Sequence, residues 1–236
     1  MHIMEGYLIH PWWEIWWLIA LPFLALGVYR LKRLLDRDRE ALPLLGVTGG
    51  FVFILSALKL PSPVFGSCSH PTGTGLSAIA FGPWITVIVA AIVLLFQALF
   101  LAHGGLSTLG ANIVSMGIVG PLVGWSIYRL LRDTRVNMYA TVFLASMCAD
   151  LVTYSMTSLE LALAYPVGGF WSSFIVYMGI FGLTQVPVAI LEGVILALVF
   201  KYIVNLKPDI LIRLKIFPEG KIMTARSDGD ALQVPA

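Results

Sequence analysis

The sequence predicts an all-α membrane protein, a polytopic bundle of about seven transmembrane helices. Of its 236 residues, 58% are hydrophobic and only 12% are charged, whereas soluble domains carry roughly 25% charged residues. The mean hydropathy is +0.89, and the apolar residues form runs long enough to cross a bilayer about 30 Å thick. The net charge of +2 gives no strong attraction to nucleic acid. Nucleic-acid binding is therefore excluded.

The first apolar run, about residues 12–29, indicates the orientation in the membrane. It begins with aromatic residues typical of a bilayer interface, namely Trp12, Trp13, Trp16 and Trp17. It is followed by the densest group of positive charges in the chain, namely Arg30, Lys32, Arg33, Arg37 and Arg39. Because cytoplasmic loops are enriched in Lys and Arg, this loop is predicted to be cytoplasmic and the N-terminus to lie outside.

Counting crossings gives the rest of the topology. The other predicted crossings cover about residues 43–58, 76–82, 83–102, 112–128, 138–165 and 170–204. The second of these is too short to span a bilayer unaided, but without it Arg129, Arg132 and Arg135 would lie outside, against the positive-inside rule. The prediction is N-out and C-in, with a transmembrane domain over 1–204. The polar tail, 205–236, is predicted to be a cytoplasmic extension, a linker, or in part vector-derived sequence.

The first two residues could bind a metal ion. A retained Met1 with a free amine offers its α-amine and, once deprotonated, the amide nitrogen that follows; His2 adds its Nδ1. These three nitrogens fall nearly in one plane, so a further imidazole would complete a square-planar site typical of Ni(II) or Cu(II). The alternative is a histidine placed by chance in a mobile terminus.

His70 is the candidate for the fourth nitrogen, because two crossings return it to the same side as His2. Pro71 disfavours helix at His70, and the surrounding loop is rich in small and hydroxylic residues. Ser69 and Thr72 are predicted to orient the ring by hydrogen bonds; alternatively, one of them only caps the next helix. Cys68 is a softer candidate ligand, ranked below His70 because a free cysteine is more often a small packed residue.

Two further polar residues have open roles. Asp150 lies within an apolar run, where a carboxylate is costly unless it is functional or paired; a hydrogen bond between helices is the equal alternative. His103 is predicted on the outer side, as a way-station for the ion, as a group that orients the ligands, or as an ordinary loop residue. Glu192, Gln97 and Gln185 are predicted to form interhelical hydrogen bonds.

Several motifs resemble a known family, the substrate-capture membrane subunit of cobalt and nickel energy-coupling-factor ABC importers, called CbiM/NikM. The similar segments lie between Met1 and about Val204, namely MHIMEG at 1–6, SALKLP at 56–61, GSCSHPTGTGL at 66–76, QAL at 97–99, HGGL at 103–106 and LGAN at 109–112. The resemblance implies a seven-helix S component whose metal, Ni(II) or Co(II), is held by Met1, His2 and His70.

The resemblance also implies partners and a location. These are a transmembrane coupling (T) subunit, two ATP-binding cassette ATPases and a small accessory membrane subunit, in the cell membrane of a prokaryote. The sequence itself contains no phosphate-binding Gly-rich Lys-Ser/Thr motif, and no catalytic cofactor is expected. The rival class is an intramembrane zinc enzyme with His2, His70 and His103 around the metal and Asp150 or Glu192 as base. The sequence has no His-Glu-x-x-His motif to support this class of enzyme.

Overall fold

The computed structural model describes residues 2–60 and 66–231. Within them the chain is helical, apart from connecting loops and two isolated antiparallel bridges. The helices are α1 (Trp12–Arg37), α2 (Ala41–Ser56), α3 (Thr74–Phe81), α4 (Pro83–Leu101), α5 (Leu109–Asn112), a π-helical segment (Ile113–Val119), α6 (Gly120–Leu131), α7 (Met138–Ala164), α8 (Phe170–Leu206), α9 (Pro208–Arg213) and α10 (Glu219–Ala231).

Five helical segments of the described chain are long and apolar enough to cross a membrane. They are α1, α4, the continuous run Leu109–Leu131, α7 and α8. Helix α2 is apolar but only 16 residues long, and α3 has 8 residues. Each of the seven predicted crossings therefore corresponds to a helix, which confirms the all-α membrane class. The count of seven crossings and the N-out, C-in orientation remain predictions.

The short segment before α4 is a separate helix because of Gly82. This residue has φ +84°, a left-handed conformation that favours glycine, and Pro83 then starts α4 at a position where proline is well tolerated. Six of the eight residues of α3 are buried. A broken helix inside the bundle is therefore covered by protein, as such a segment requires.

Close packing of α6 against α7 depends on two glycines four residues apart. A Cβ atom on Gly120 would lie 2.8 Å from the Ala149 carbonyl oxygen, and one on Gly124 would lie 2.8 Å from that of Ala145. Both separations are too short for a real side chain, so only glycine allows this approach. These two glycines therefore serve the packing of α6 against α7.

The segment after residue 205 is more ordered than a polar tail would suggest. Helix α8 continues to Leu206, and α9 and α10 follow it. Four apolar side chains from this region are buried with the ends of α6, α7 and α8, namely Leu211, Ile216, Phe217 and Ile222. The Tyr128 hydroxyl donates a hydrogen bond to the Ile216 carbonyl. Residues 232–236, near which the vector-derived end was predicted, lie outside the described residues.

Candidate metal centre

The N-terminal segment is held in place through the backbone of Ile3. The Ile3 amide donates to Asn112 Oδ1 at 2.8 Å, and the Ile3 carbonyl accepts from Asn112 Nδ2 at 3.1 Å and from Thr108 Oγ1 at 2.7 Å. On its other side, Met4 N donates to the Gly66 carbonyl at 2.9 Å, and Ile3 forms a β-bridge with Ser67. These bonds fix the chain on the C-terminal side of His2.

The neighbouring loop brings His2 close to a glycine. Gly104 has φ +81°, and a Cβ atom there would lie 3.2 Å from both His2 Cδ2 and Asn112 Nδ2. Glycine therefore gives the loop between α4 and α5 both the backbone turn and the space that the His2 ring needs.

The His70 loop is held at both ends. Leu60 and Ser69 exchange two backbone hydrogen bonds, with N···O distances of 2.8 and 3.3 Å. At the other end, Glu192 of α8 accepts from Thr72 N at 2.5 Å, from Thr72 Oγ1 at 3.0 Å and from Gly73 N at 2.9 Å. Its carboxylate therefore binds the backbone donors that precede the first turn of α3.

His70 presents one nitrogen to His2. His70 Nδ1 lies 2.8 Å from the Pro71 carbonyl oxygen, so Nδ1 carries a proton and donates to it. The lone pair is thereby placed on His70 Nε2, which lies 2.6 Å from His2 Nδ1. His2 Nδ1 is the nitrogen that can close a chelate ring with the amide nitrogen of its own residue.

Two more potential ligands complete a buried cluster. Cys68 Sγ lies 3.0 Å from His103 Nε2, and the His103 ring centroid is 4.0 Å from that of His2. One ligand atom from each of His2, Cys68, His70 and His103 lies within 4.8 Å of the others. Nitrogen and sulfur donors of this kind suit transition metals rather than Mg²⁺ or Ca²⁺, which prefer oxygen.

Burial keeps these imidazoles neutral. It lowers the pKa of His2 and of His70 well below the ordinary 6.5, and the neighbouring imidazoles lower the His2 pKa further. Burial also lowers the pKa of His103, to about 3, with a smaller contribution from the charge of Lys59. Neutral imidazole is the form that binds metal, so at pH 7 these rings are available as ligands.

A second chain of hydrogen bonds reaches the loop from α7 and α8. Gln185 Nε2 donates to the Asp150 carboxylate at 2.7 and 2.8 Å and to the His70 carbonyl oxygen at 3.0 Å. Asp150 is therefore paired, and it orients the amide that holds His70. The Gln185 prediction of an interhelical bond is confirmed, and so is that of Gln97, whose Nε2 donates to Phe53 O and Ser56 Oγ of α2.

Of the predicted site residues, His2, His70 and His103 come together, while Met1 lies outside the described residues. The hydroxyl groups of Ser69 and Thr72 had been predicted to orient the His70 ring, but they bond other residues. Ser69 Oγ bonds Thr184 Oγ1 at 2.7 Å and Thr72 bonds Glu192, so these groups hold the loop, while the Pro71 carbonyl orients the ring. Glu192 had been predicted to bond a neighbouring helix, but it bonds the His70 loop instead.

No role was predicted for Thr108 or Asn112, and Cys68 was ranked below His70 as a ligand. Asn112 belongs to the LGAN motif at 109–112. This motif indicated the family, but it did not predict a contact with Ile3. Only the folded loop brings these side chains to the N-terminal segment.

A family comparison matches almost the whole chain. Residues 2–210 fit the CbiM family model, described as the cobalt uptake substrate-specific transmembrane region. The chain belongs to the CbiM family. With its five long apolar helices, this CbiM family member is a multi-pass membrane protein and a component of cobalt uptake, and the family resemblance given by the sequence motifs is confirmed.

Individual relatives agree with the family. The chain is 64% identical over 233 residues to "Putative cobalt transport protein CbiM 2" of Methanosphaerula palustris, covering 98% of this chain and 99% of that protein. It is 51% identical to "Putative fused cobalt transport protein CbiMQ" of Methanocorpusculum labreanum, covering 97% of this chain and 39% of that longer protein. A crystal structure of a truncated transition metal transporter superposes with a TM-score of 0.76 at 26% identity, covering 86% of this chain and 98% of that one.

Proposed function

We propose that this chain is the metal-capturing subunit of an energy-coupling-factor importer and binds Ni(II) or Co(II) at a square-planar nitrogen site. The ligands are the Met1 amine, the His2 amide nitrogen, His2 Nδ1 and His70 Nε2. The observation that supports this most directly is the 2.6 Å separation of His2 Nδ1 and His70 Nε2, with the His70 proton held on the opposite ring nitrogen.

The separation of the two nitrogens favours a planar site. With metal–nitrogen bonds of about 2.0 Å, neighbouring ligands lie about 2.8 Å apart in a square plane and about 3.3 Å apart in a tetrahedron. The observed 2.6 Å is nearer the planar value. In a chelate built from the chain start, the fourth position is next to His2 Nδ1, which is the side on which His70 Nε2 lies.

Transport also requires partners. The fused relative named CbiMQ supports association with a CbiQ-type membrane subunit, which we assign as the coupling subunit. Two ATP-binding cassette ATPases supply the energy, and a small accessory membrane subunit completes the complex. The named relatives are archaeal, in keeping with the cell membrane of a prokaryote, with the metal pocket at the outer face.

The test is Ni(II) titration of the purified full-length chain in detergent, with metal content and absorption spectrum as readouts. We expect one Ni(II) per chain and the spectrum of low-spin, square-planar d⁸ nickel. His70→Ala should weaken binding more than about 100-fold, since losing a group that only orients a ligand already costs about 10–100-fold. The matched control is His10→Ala, because His10 is exposed and pairs with Glu14 outside the cluster.

A second pair of variants tests the chain-start nitrogens. One residue added before Met1 should abolish tight Ni(II) binding although His2 is retained, whereas one residue added after Ala236 should change nothing. Undiminished affinity in the N-terminally extended protein would remove the amine from the site and refute the proposed ligand set.

A further inference from the structure

A cavity lined by three arginines lies at the end of α1 that is predicted to be cytoplasmic. Its volume is about 290 Å³. Since a water molecule occupies about 30 Å³ in the liquid, the cavity has room for a phosphate group and a few waters. Arg30, Arg33 and Arg37 of α1 line it together with apolar side chains that include Phe81 of α3 and Trp84 of α4. Spacings of three and four residues place the three arginines on one face of the helix.

These three arginines have no anionic partner in the part of the chain that the structure describes. None of them forms an ion pair there, and none of the described residues that line the cavity is acidic. Arg33 donates only to the Tyr29 hydroxyl, at 3.3 Å. Like charges one helical turn apart repel each other, so an anion inside the cavity would relieve this repulsion.

The carboxylates nearest in sequence are used elsewhere or lie outside the cavity. Asp38 and Glu40, which follow α1, both accept from the guanidinium of Arg213. Asp36 is exposed and is not among the residues that line the cavity. The positive-inside rule explains why this segment is basic, but it does not explain why three arginines share one cavity without an acid.

The surroundings of the cavity favour a lipid as the source of the anion. Val28 and Tyr29, which directly precede Arg30, are 58% and 53% exposed, as expected for side chains that face the bilayer. The cavity therefore begins where the predicted apolar run ends, at the depth of the lipid headgroups. Tryptophan is also enriched at this depth, and Trp84 lines the cavity.

We propose that this cavity binds the phosphate of an anionic phospholipid, held by the guanidinium groups of Arg30, Arg33 and Arg37. Guanidinium groups bind phosphate oxygens in a bidentate manner, and basic pockets between membrane helices bind anionic lipid headgroups. The acyl chains of the lipid lie against the exposed apolar side chains of α1.

The lipid site is remote from the metal-binding cluster. Trp84 lies at the start of α4, whereas His103 follows its end at Leu101. These residues are 19 positions apart, which is about 28 Å along a helix at 1.5 Å per residue. The inference therefore does not depend on the proposed metal site, and the two can be tested separately.

The test is native mass spectrometry of the purified full-length chain in detergent. The probes are dioleoyl phosphatidylglycerol, which is anionic, and dioleoyl phosphatidylcholine, which has the same acyl chains and no net charge. We expect one phosphatidylglycerol per chain to be retained at concentrations at which phosphatidylcholine is not. Arg30→Gln combined with Arg37→Gln should weaken this retention at least about tenfold, the cost of losing a hydrogen bond to a charged group.

The matched control is Lys32→Gln combined with Arg39→Gln. Both residues are exposed and belong to the same basic segment, but neither lines the cavity. This pair removes the same charge and should leave retention almost unchanged. Arg30→Lys combined with Arg37→Lys keeps the charge but not the guanidinium groups, so its retention should be intermediate.

Three results would overturn the lipid site. They are equal retention of the two lipids by the unaltered chain, equal losses in the two glutamine pairs, and displacement of phosphatidylglycerol by an excess of inorganic phosphate, which would indicate a site for free phosphate. Both glutamine pairs should still bind one Ni(II), which shows that they are folded. The protein with one residue added before Met1 should lose tight Ni(II) binding and keep phosphatidylglycerol, so failure of one proposal is distinguishable from failure of the other.

Discussion

Removing the Asn112 side chain should weaken metal binding although Asn112 is not a ligand. In Asn112→Ala the Ile3 amide loses its partner at 2.8 Å, while the Ile3 carbonyl keeps the bond from Thr108. A buried donor left unpaired costs about 1–3 kcal/mol. This cost is paid only when the N-terminal segment is docked, because the free segment is hydrated.

The cost translates into an affinity change. Since each 1.4 kcal/mol is a factor of ten, docking becomes about 5–150 times less favourable. The apparent affinity falls with the fraction of molecules whose terminus is docked, so the Ni(II) dissociation constant should rise by up to about that factor.

The assay is competition for Ni(II) between the purified chain and a chromophoric chelator, alongside thermal unfolding of the same samples. The control is Asn137→Ala, which also removes an Asn acceptor from a backbone amide, Tyr139 N at 2.7 Å, but at the start of α7. It should lower stability by about 1 kcal/mol without changing Ni(II) affinity. If Asn112→Ala lowers the unfolding temperature but leaves Ni(II) affinity unchanged, then docking through Ile3 does not control the site.

Three other outcomes are expected. Burial lowers the pKa of His2 and His70 well below 6.5, so the unfolded chain takes up protons before the folded chain as the pH falls below 6.5. The free energy of unfolding should therefore decrease by about 1.4 kcal/mol per pH unit for each imidazole until its folded-state pKa is reached. His70→Gln should make the thermal unfolding temperature depend less on pH. Glu192→Gln, which loses one acceptor oxygen, should weaken Ni(II) binding about tenfold, and equal affinity would show that the loop is held without it. A membrane-impermeant thiol reagent applied from outside should label Leu106→Cys and not Asp133→Cys in a cysteine-free background, and the reverse pattern would invert the predicted orientation.

The helices were largely predictable because apolar runs and prolines mark them. Pro83 starts α4 as predicted, but α1 ends at Arg37, eight residues beyond the predicted end of the apolar run. Arg, Lys and Leu are good helix formers, so the helix continues through the basic segment, and hydropathy reports the membrane crossing rather than the helix length.

The proximity of His2 and His70 was predicted by counting crossings, since two predicted passages across the membrane return the chain to the same side. The contacts of Asn112 and Cys68 did not follow, because they depend on how the loop between α4 and α5 folds against the N-terminal segment. The sequence predicts on which side of the membrane a candidate ligand residue lies. It does not specify which neighbouring residues hold that side chain in position by hydrogen bonds.

The bond between Glu192 and the His70 loop connects one long helix to the proposed metal site. Helix α8 has 37 residues, so it is about 55 Å long at 1.5 Å per residue. Glu192 lies 14 residues before its end at Leu206, about 21 Å along the axis. A stiff rod moves as a unit, so a sideways push at its far end shifts Thr72 and Gly73 or breaks their bonds to Glu192. Either result changes the position of the His70 imidazole, so mechanical work done at the end of α8 would reach an ion in the proposed metal site about 21 Å along the helix axis.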